Sequence, residues 1–79
     1  MKQRPLTYRY RTPVGTFVIK PSHADPKSVE LWLGDECYGQ YATAQTAASD
    51  VFCHATGFHQ WDVATHLEAS EDLGDWQVS

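Results

Sequence analysis

The chain has 79 residues, 42% of them hydrophobic, 13% aromatic and 20% charged, which suits one small folded core and excludes a disordered segment or two separate cores. Its formal net charge is −4, yet all six Lys and Arg lie in residues 1–27, opposed there by Asp25 alone, while residues 28–79 hold nine acids and neither Lys nor Arg. No apolar run approaches the roughly 18 residues of a membrane span and residues 1–5 lack an apolar signal core, so the expectation is a cytoplasmic domain without membrane attachment.

Residues 7–11 alternate aromatic and basic side chains with period two, Tyr8-Arg9-Tyr10-Arg11, the pattern of a short edge strand whose charge discourages sheet-to-sheet association. Thr12-Pro13-Val14-Gly15 is a turn, with Pro at its second position and Gly at its fourth. Residues 16–20 are rich in β-branched and aromatic side chains and form a strand that Pro21 ends. A polar loop leads to a strand over residues 28–33, which Gly34-Asp35 turns back into a returning strand over residues 36–41.

The next segment is helical. Thr43 is a suitable N-cap, and Ala44, Ala47, Ala48, Val51, Phe52 and Ala55 form one apolar stripe at helical spacing, with Gly57 as the stop. The expected helix therefore covers residues 43–56. Beyond it, Asp62 can cap a short helix reaching His66 and Leu67, and Ser70–Leu73 can open a further turn. The expected anchors of this acidic stretch are Val63, Leu67, Leu73 and Trp76. The fold class that follows is α+β, a three- or four-stranded antiparallel sheet with one main helix across it and a short helical acidic C-terminal segment. All 79 residues form one expected domain: a basic N-terminal segment and edge strand (1–14), sheet plus helix (15–57) and the acidic segment (58–79).

Gly39-Gln40-Tyr41-Ala42-Thr43, followed after three residues by Ala47-Ala48, resembles the third-strand-to-helix junction of the AP2 (plant ERF-type) DNA-binding domain. That resemblance covers about half the chain and implies three antiparallel strands before one Ala-rich helix. The family reads DNA with Arg and Trp on the sheet face turned away from the helix. Here the matching strands offer Lys20 and Trp32 but also Glu30 and Glu36, without Arg, so the likeness implies the fold rather than DNA binding. The wider pattern, with Gly15-Thr16-Phe17, Thr56-Gly57 and Trp61-Asp62, is similar to short uncharacterised bacterial and phage proteins, which brings no activity with it.

Two surfaces are candidates for function. Asp50, Glu68, Glu71, Asp72 and Asp75, with Trp76 among them as an aromatic anchor, suit a partner protein with a basic surface. Tyr8, Arg9, Tyr10, Arg11 and Trp32 suit stacking and phosphate contacts with nucleic acid. The second is the disfavoured rival, because a net charge of −4 repels the phosphate backbone that dominates such affinity. If the helix covers Phe17, Ile19, Val29, Leu31 and Leu33, the C-terminal Leu and Trp residues are expected to cover the opposite face as a second small core.

Cys37, Cys53, His54, His59 and His66 are zinc ligands in type, but their spacing matches no paired arrangement, so no metal site or cofactor is expected. Nor is a Cys37–Cys53 bridge expected in a reducing compartment. Catalytic motifs are missing from the sequence. The function expected is therefore non-enzymatic protein binding, by a monomer or homodimer. Where the partner's basic surface normally holds nucleic acid, the protein acts as an inhibitor by occupying it, as phage-encoded anti-defence proteins do. A third alternative is a housekeeping domain that dimerises through an edge strand.

Overall fold

The computed structural model describes residues 7–22, 24, 25 and 27–78; Lys2 and Arg4 of the expected basic segment lie outside them. Five strands form one antiparallel sheet: β1 (Tyr8–Thr12), β2 (Gly15–Pro21), β3 (Val29–Leu33), β4 (Glu36–Tyr41) and β5 (Gln77–Val78). Their order across the sheet is β4-β3-β2-β1-β5. The class is α+β. The fifth strand goes beyond the three or four expected: two residues of the acidic tail pair with Tyr8 and Arg9 of β1. So short a strand carries no alternation of its own for a sequence to display.

The hairpin between β1 and β2 uses Pro13 as expected. Proline holds φ near −65°, which rules out a primed turn, and Gly15 absorbs the difference at φ 136. A Cβ at Gly15 would stand 3.0 Å from Leu33 Cδ1, so the glycine also lets the hairpin close on the core. The Gly34-Asp35 turn opens with Gly34 at φ 61.

Strand alternation puts Phe17, Ile19, Leu31 and Leu33 on the face that meets α1 (Ala44–Phe52). Ala47, Ala48 and Val51 of α1 are fully buried against them. Small side chains there let the helix approach closely, and each fully buried Phe, Ile, Leu or Val contributes about 1.5–3 kcal/mol. Thr43 caps α1 as expected, its Oγ1 accepting from Thr46 N–H at 3.1 Å.

The far end of α1 departs from expectation. The helix stops at Phe52 rather than running to residue 56, because His54 takes a left-handed conformation (φ 57) one residue past the cap Cys53. His54 N–H then donates to Val51 O at 3.2 Å and Ala55 N–H to Asp50 O at 3.0 Å, the paired closure of a Schellman ending. Gly57 (φ 90) serves the following turn instead. Phe52, at the rim of the apolar stripe, is left 48% exposed.

A short α2 (His59–Asp62) follows, earlier than the expected helix from Asp62. Asp62 does not cap it. Its carboxylate instead reaches back to Thr56 N–H and Oγ1 and Gly57 N–H. Trp61 is fully buried; it meets Phe17 edge-on at 5.3 Å between centroids, and its Nε1 donates to Val51 O at 2.9 Å. Val63 is 61% exposed and anchors nothing. Leu67, Ala69 and Leu73 do pack on the core, and a single 3₁₀ turn over Leu73–Asp75, capped by Asp72, leads to Trp76.

These tail residues join the same core as the helix. The expectation that they cover the opposite face of the sheet is therefore wrong. Leu67, Leu73 and Trp76 must extend the inner layer, since α1 is only nine residues long and leaves Tyr10 and Phe17 for them and Trp61 to cover.

Candidate partner-binding surface

The acidic stretch after α2 has little regular structure, yet its backbone is tied down at several points. His54 Nε2 lies 2.9 Å from Leu67 O, Gln45 Nε2 donates to Glu71 O, and Trp76 Nε1 donates to Ser70 O at 2.8 Å. Ser70 Oγ accepts from Asp72 N–H at 3.0 Å and donates to Asp75 Oδ2 at 2.6 Å. Asp72 Oδ1 accepts from Gly74 N–H at 2.9 Å. A loop held this way has a fixed backbone, so less ordering entropy is lost on binding.

Glu68, Glu71, Asp72 and Asp75 are all exposed. They do not form one uniform pole. Glu68 lines a shallow cleft with Phe52, His54, Thr65, Leu67 and Ala69. Asp75 lies at the other end, in a groove with Arg9, Tyr10, Arg11, Trp76 and Gln77, where β5 brings the tail beside the basic strand. The outward acidic face is thus Glu68, Glu71 and Asp72.

Asp50 stands apart from these on the side of α1 that faces β4. It is half-buried and hydrogen-bonded to the Tyr41 phenol. Burial, then that hydrogen bond and the Asp50 charge, push Tyr41 up to about 12 from its ordinary 10.0. Asp50 is therefore partly engaged inside the fold.

Trp76 is not an available anchor. It is 4% exposed, with its ring 5.1 Å from that of Tyr10. The exposed aromatic beside the acids is Phe52. Sequence reasoning assigned it to the buried stripe; the available signal was its position roughly 80° from the stripe's centre at 100° per residue.

The alternative nucleic-acid set is divided between the two faces of the sheet. Tyr8 and Tyr10 turn inward and pack on the core. Arg9 falls in a cross-strand row with Val18, Trp32 and Cys37 on the outer face, where Arg11 also lies opposite Thr16. Period two makes this separation unavoidable, because adjacent residues of a strand point to opposite faces. Trp32 is half-buried. Its Nε1 donates to Glu30 Oε1 at 2.9 Å, and Lys20 Nζ stands 4.2 Å over its ring. That face of the indole is occupied by the protein's own cation.

Cys37 and Cys53 are free and exposed. Among the described residues, no three His, Cys, Asp or Glu side chains converge as a metal site would require, and no helix is long and apolar enough to cross a membrane.

The arrangement can therefore offer a partner exposed Phe52 beside Glu68 at the end of α1, with exposed Glu71 and Asp72 further along a backbone-tethered loop that runs toward Gln45. Compared with protein-family models, with curated proteins and with solved structures, the chain matches none, so the reading of this surface stands on its own geometry.

Proposed function

We propose that this protein is a small, non-enzymatic protein-binding module whose acidic face engages a basic surface on a partner. The observation that carries this reading is the pairing of exposed Phe52 with Glu68 in one cleft, continued by Glu71 and Asp72 along a tethered loop. Aromatic anchors supply most of the affinity in such contacts, while clustered carboxylates steer the encounter and select a basic partner. Where the partner's Lys and Arg ordinarily hold phosphates, occupancy by these carboxylates excludes the nucleic acid, and the protein is an inhibitor of the anti-defence type. A reducing cytoplasm suits its two exposed thiols.

Fluorescence anisotropy with an arginine-rich nucleic-acid-binding peptide tests this directly. The wild-type protein is expected to bind and to displace a single-stranded oligonucleotide from the peptide. Affinity should fall between 50 and 200 mM salt. Combined neutralisation by E68Q, E71Q and D72N should weaken binding roughly ten-fold, as three exposed ion pairs would allow; Phe52→Ala should add to that loss. Unchanged affinity in the neutralised protein, or tight binding of the oligonucleotide by the wild type alone, would overturn the reading. Base stacking on the outer sheet face has less support, given the Lys20 cover on Trp32 and the inward turn of Tyr8 and Tyr10.

A further inference from the structure

His54 is, among the described residues, the only one besides glycine with positive φ. It stands just past the end of α1, where glycine is the usual choice. A left-handed residue with a Cβ is disfavoured, so its side chain has to offset that cost. Both ring nitrogens are engaged: Nδ1 lies 2.7 Å from Trp61 O and Nε2 lies 2.9 Å from Leu67 O. Carbonyl oxygens only accept. A neutral imidazole has a single N–H, so one of these contacts would set lone pair against lone pair; the imidazolium donates at both.

The surroundings also favour the charged ring. It stacks on Trp61, centroids 4.5 Å apart and planes 16° from parallel, an arrangement that suits a cation on an indole face. It lies at the negative end of the α1 dipole. The charged groups that face it are acids: Asp62 from α2, whose carboxyl its charge helps hold down, and Glu68 from the following stretch, which lines the same cleft.

We propose that His54 is a doubly protonated pin that fastens both α2 and the Leu67–Glu68 stretch to the end of α1, so that losing one ring proton releases the start of the acidic loop. One contact must then be given up. The Leu67 carbonyl is the freer of the two, since Trp61 is fixed by burial and by its bond to Val51. This inference does not depend on the partner-binding reading.

Long-range ¹H–¹⁵N spectra of the wild-type protein report each ring nitrogen separately. At pH 6 both nitrogens of His54 should be protonated. At pH 8.5 a single tautomer should remain, with faster amide exchange near Leu67 and Glu68. As a second readout, thermal unfolding of the wild type should lose roughly 5 °C more between pH 6 and pH 8.5 than that of His54→Asn. Asn tolerates the left-handed backbone, but cannot reach both carbonyls as a cation. A ring that keeps both contacts with only one N–H at pH 6, or an identical pH dependence in the variant, would overturn the proposal. Should the variant fail to fold, the ring spectrum of the wild type still decides.

Discussion

Asp62 gathers three donors from the turn that precedes its own helix: Thr56 N–H at 2.9 Å, Thr56 Oγ1 at 2.8 Å and Gly57 N–H at 2.8 Å. Burial pushes its carboxyl up. The bonds from Thr56 and Gly57, joined by the His54 charge, outweigh burial and hold it below the ordinary 3.8. A carboxyl lowered in the folded state binds fewer protons there than in the unfolded chain, so its stabilising effect is present above about pH 4 and is lost as pH falls below that. Thr56 is 3% exposed, and its hydroxyl both donates to Asp62 and accepts from Phe58 N–H at 3.1 Å. Thr56→Val should therefore cost about 1–2 kcal/mol at pH 7 in urea unfolding, through one lost bond and one unpaired amide. Asp62→Asn should destabilise at pH 7 and lose much of that effect at pH 3. An equal loss at both values would mean the charged carboxylate is not what holds the turn.

At the scale of elements, β4 is the instructive case. A regular strand cannot turn both Tyr38 and Tyr41 to one face, because they are an odd number of residues apart. The register slips between Leu31 and Trp32, pairing Leu31 with Gly39 and Trp32 with Cys37, and Tyr38 becomes the extra residue of a bulge. Tyr38 then packs on Phe58, and Tyr41 folds over Gly39, where a Cβ would stand 3.1 Å from the ring. Gly39→Ala should push the ring away from Asp50, cost about 1–3 kcal/mol in overpacking, and return the phenol from about 12 toward 10.0. An ultraviolet titration of the tyrosines measures this, and an unaltered late-titrating tyrosine would contradict the packing. The first four strands and the start of α1 were legible because period two, turn chemistry and a Thr cap are local signals. The bulge was not, since nothing in Cys37-Tyr38-Gly39 marks which residue is extra. Nor was the end of α1, which is set by the carbonyls of Trp61 and Leu67, 7 and 13 residues further on. Glu68, Glu71, Asp72 and Asp75 were legible as exposed acids and Asp50, half-buried against Tyr41, was not; Phe52 and Trp76 exchange roles because a stripe does not say where its helix stops or what else the core can recruit.

Across the whole molecule, the separation of charge along the sequence is not preserved in space. The order β4-β3-β2-β1-β5 brings the tail against the basic strand, so Arg9 and Arg11 share a groove with Asp75. The Glu68–Asp72 stretch remains outward, as do Asp35 and Glu36 at the β3–β4 turn. The same pairing of β5 with β1 has a kinetic consequence. It joins the two ends of the described chain, and closing so long a loop is the contact an unfolded chain is slowest to reward. The hairpins and α1 can form before it, so β5 and Trp76 are expected to come last and leave first. Trp76→Phe, which keeps a ring against Tyr10 but loses the bond to Ser70 O, should therefore speed unfolding and leave the folding rate nearly unchanged in stopped-flow measurements. Ile19→Val, at the centre of the sheet, should slow folding instead. The edge that completes the sheet thus sets how long the native state lasts, while the centre sets how quickly it is reached.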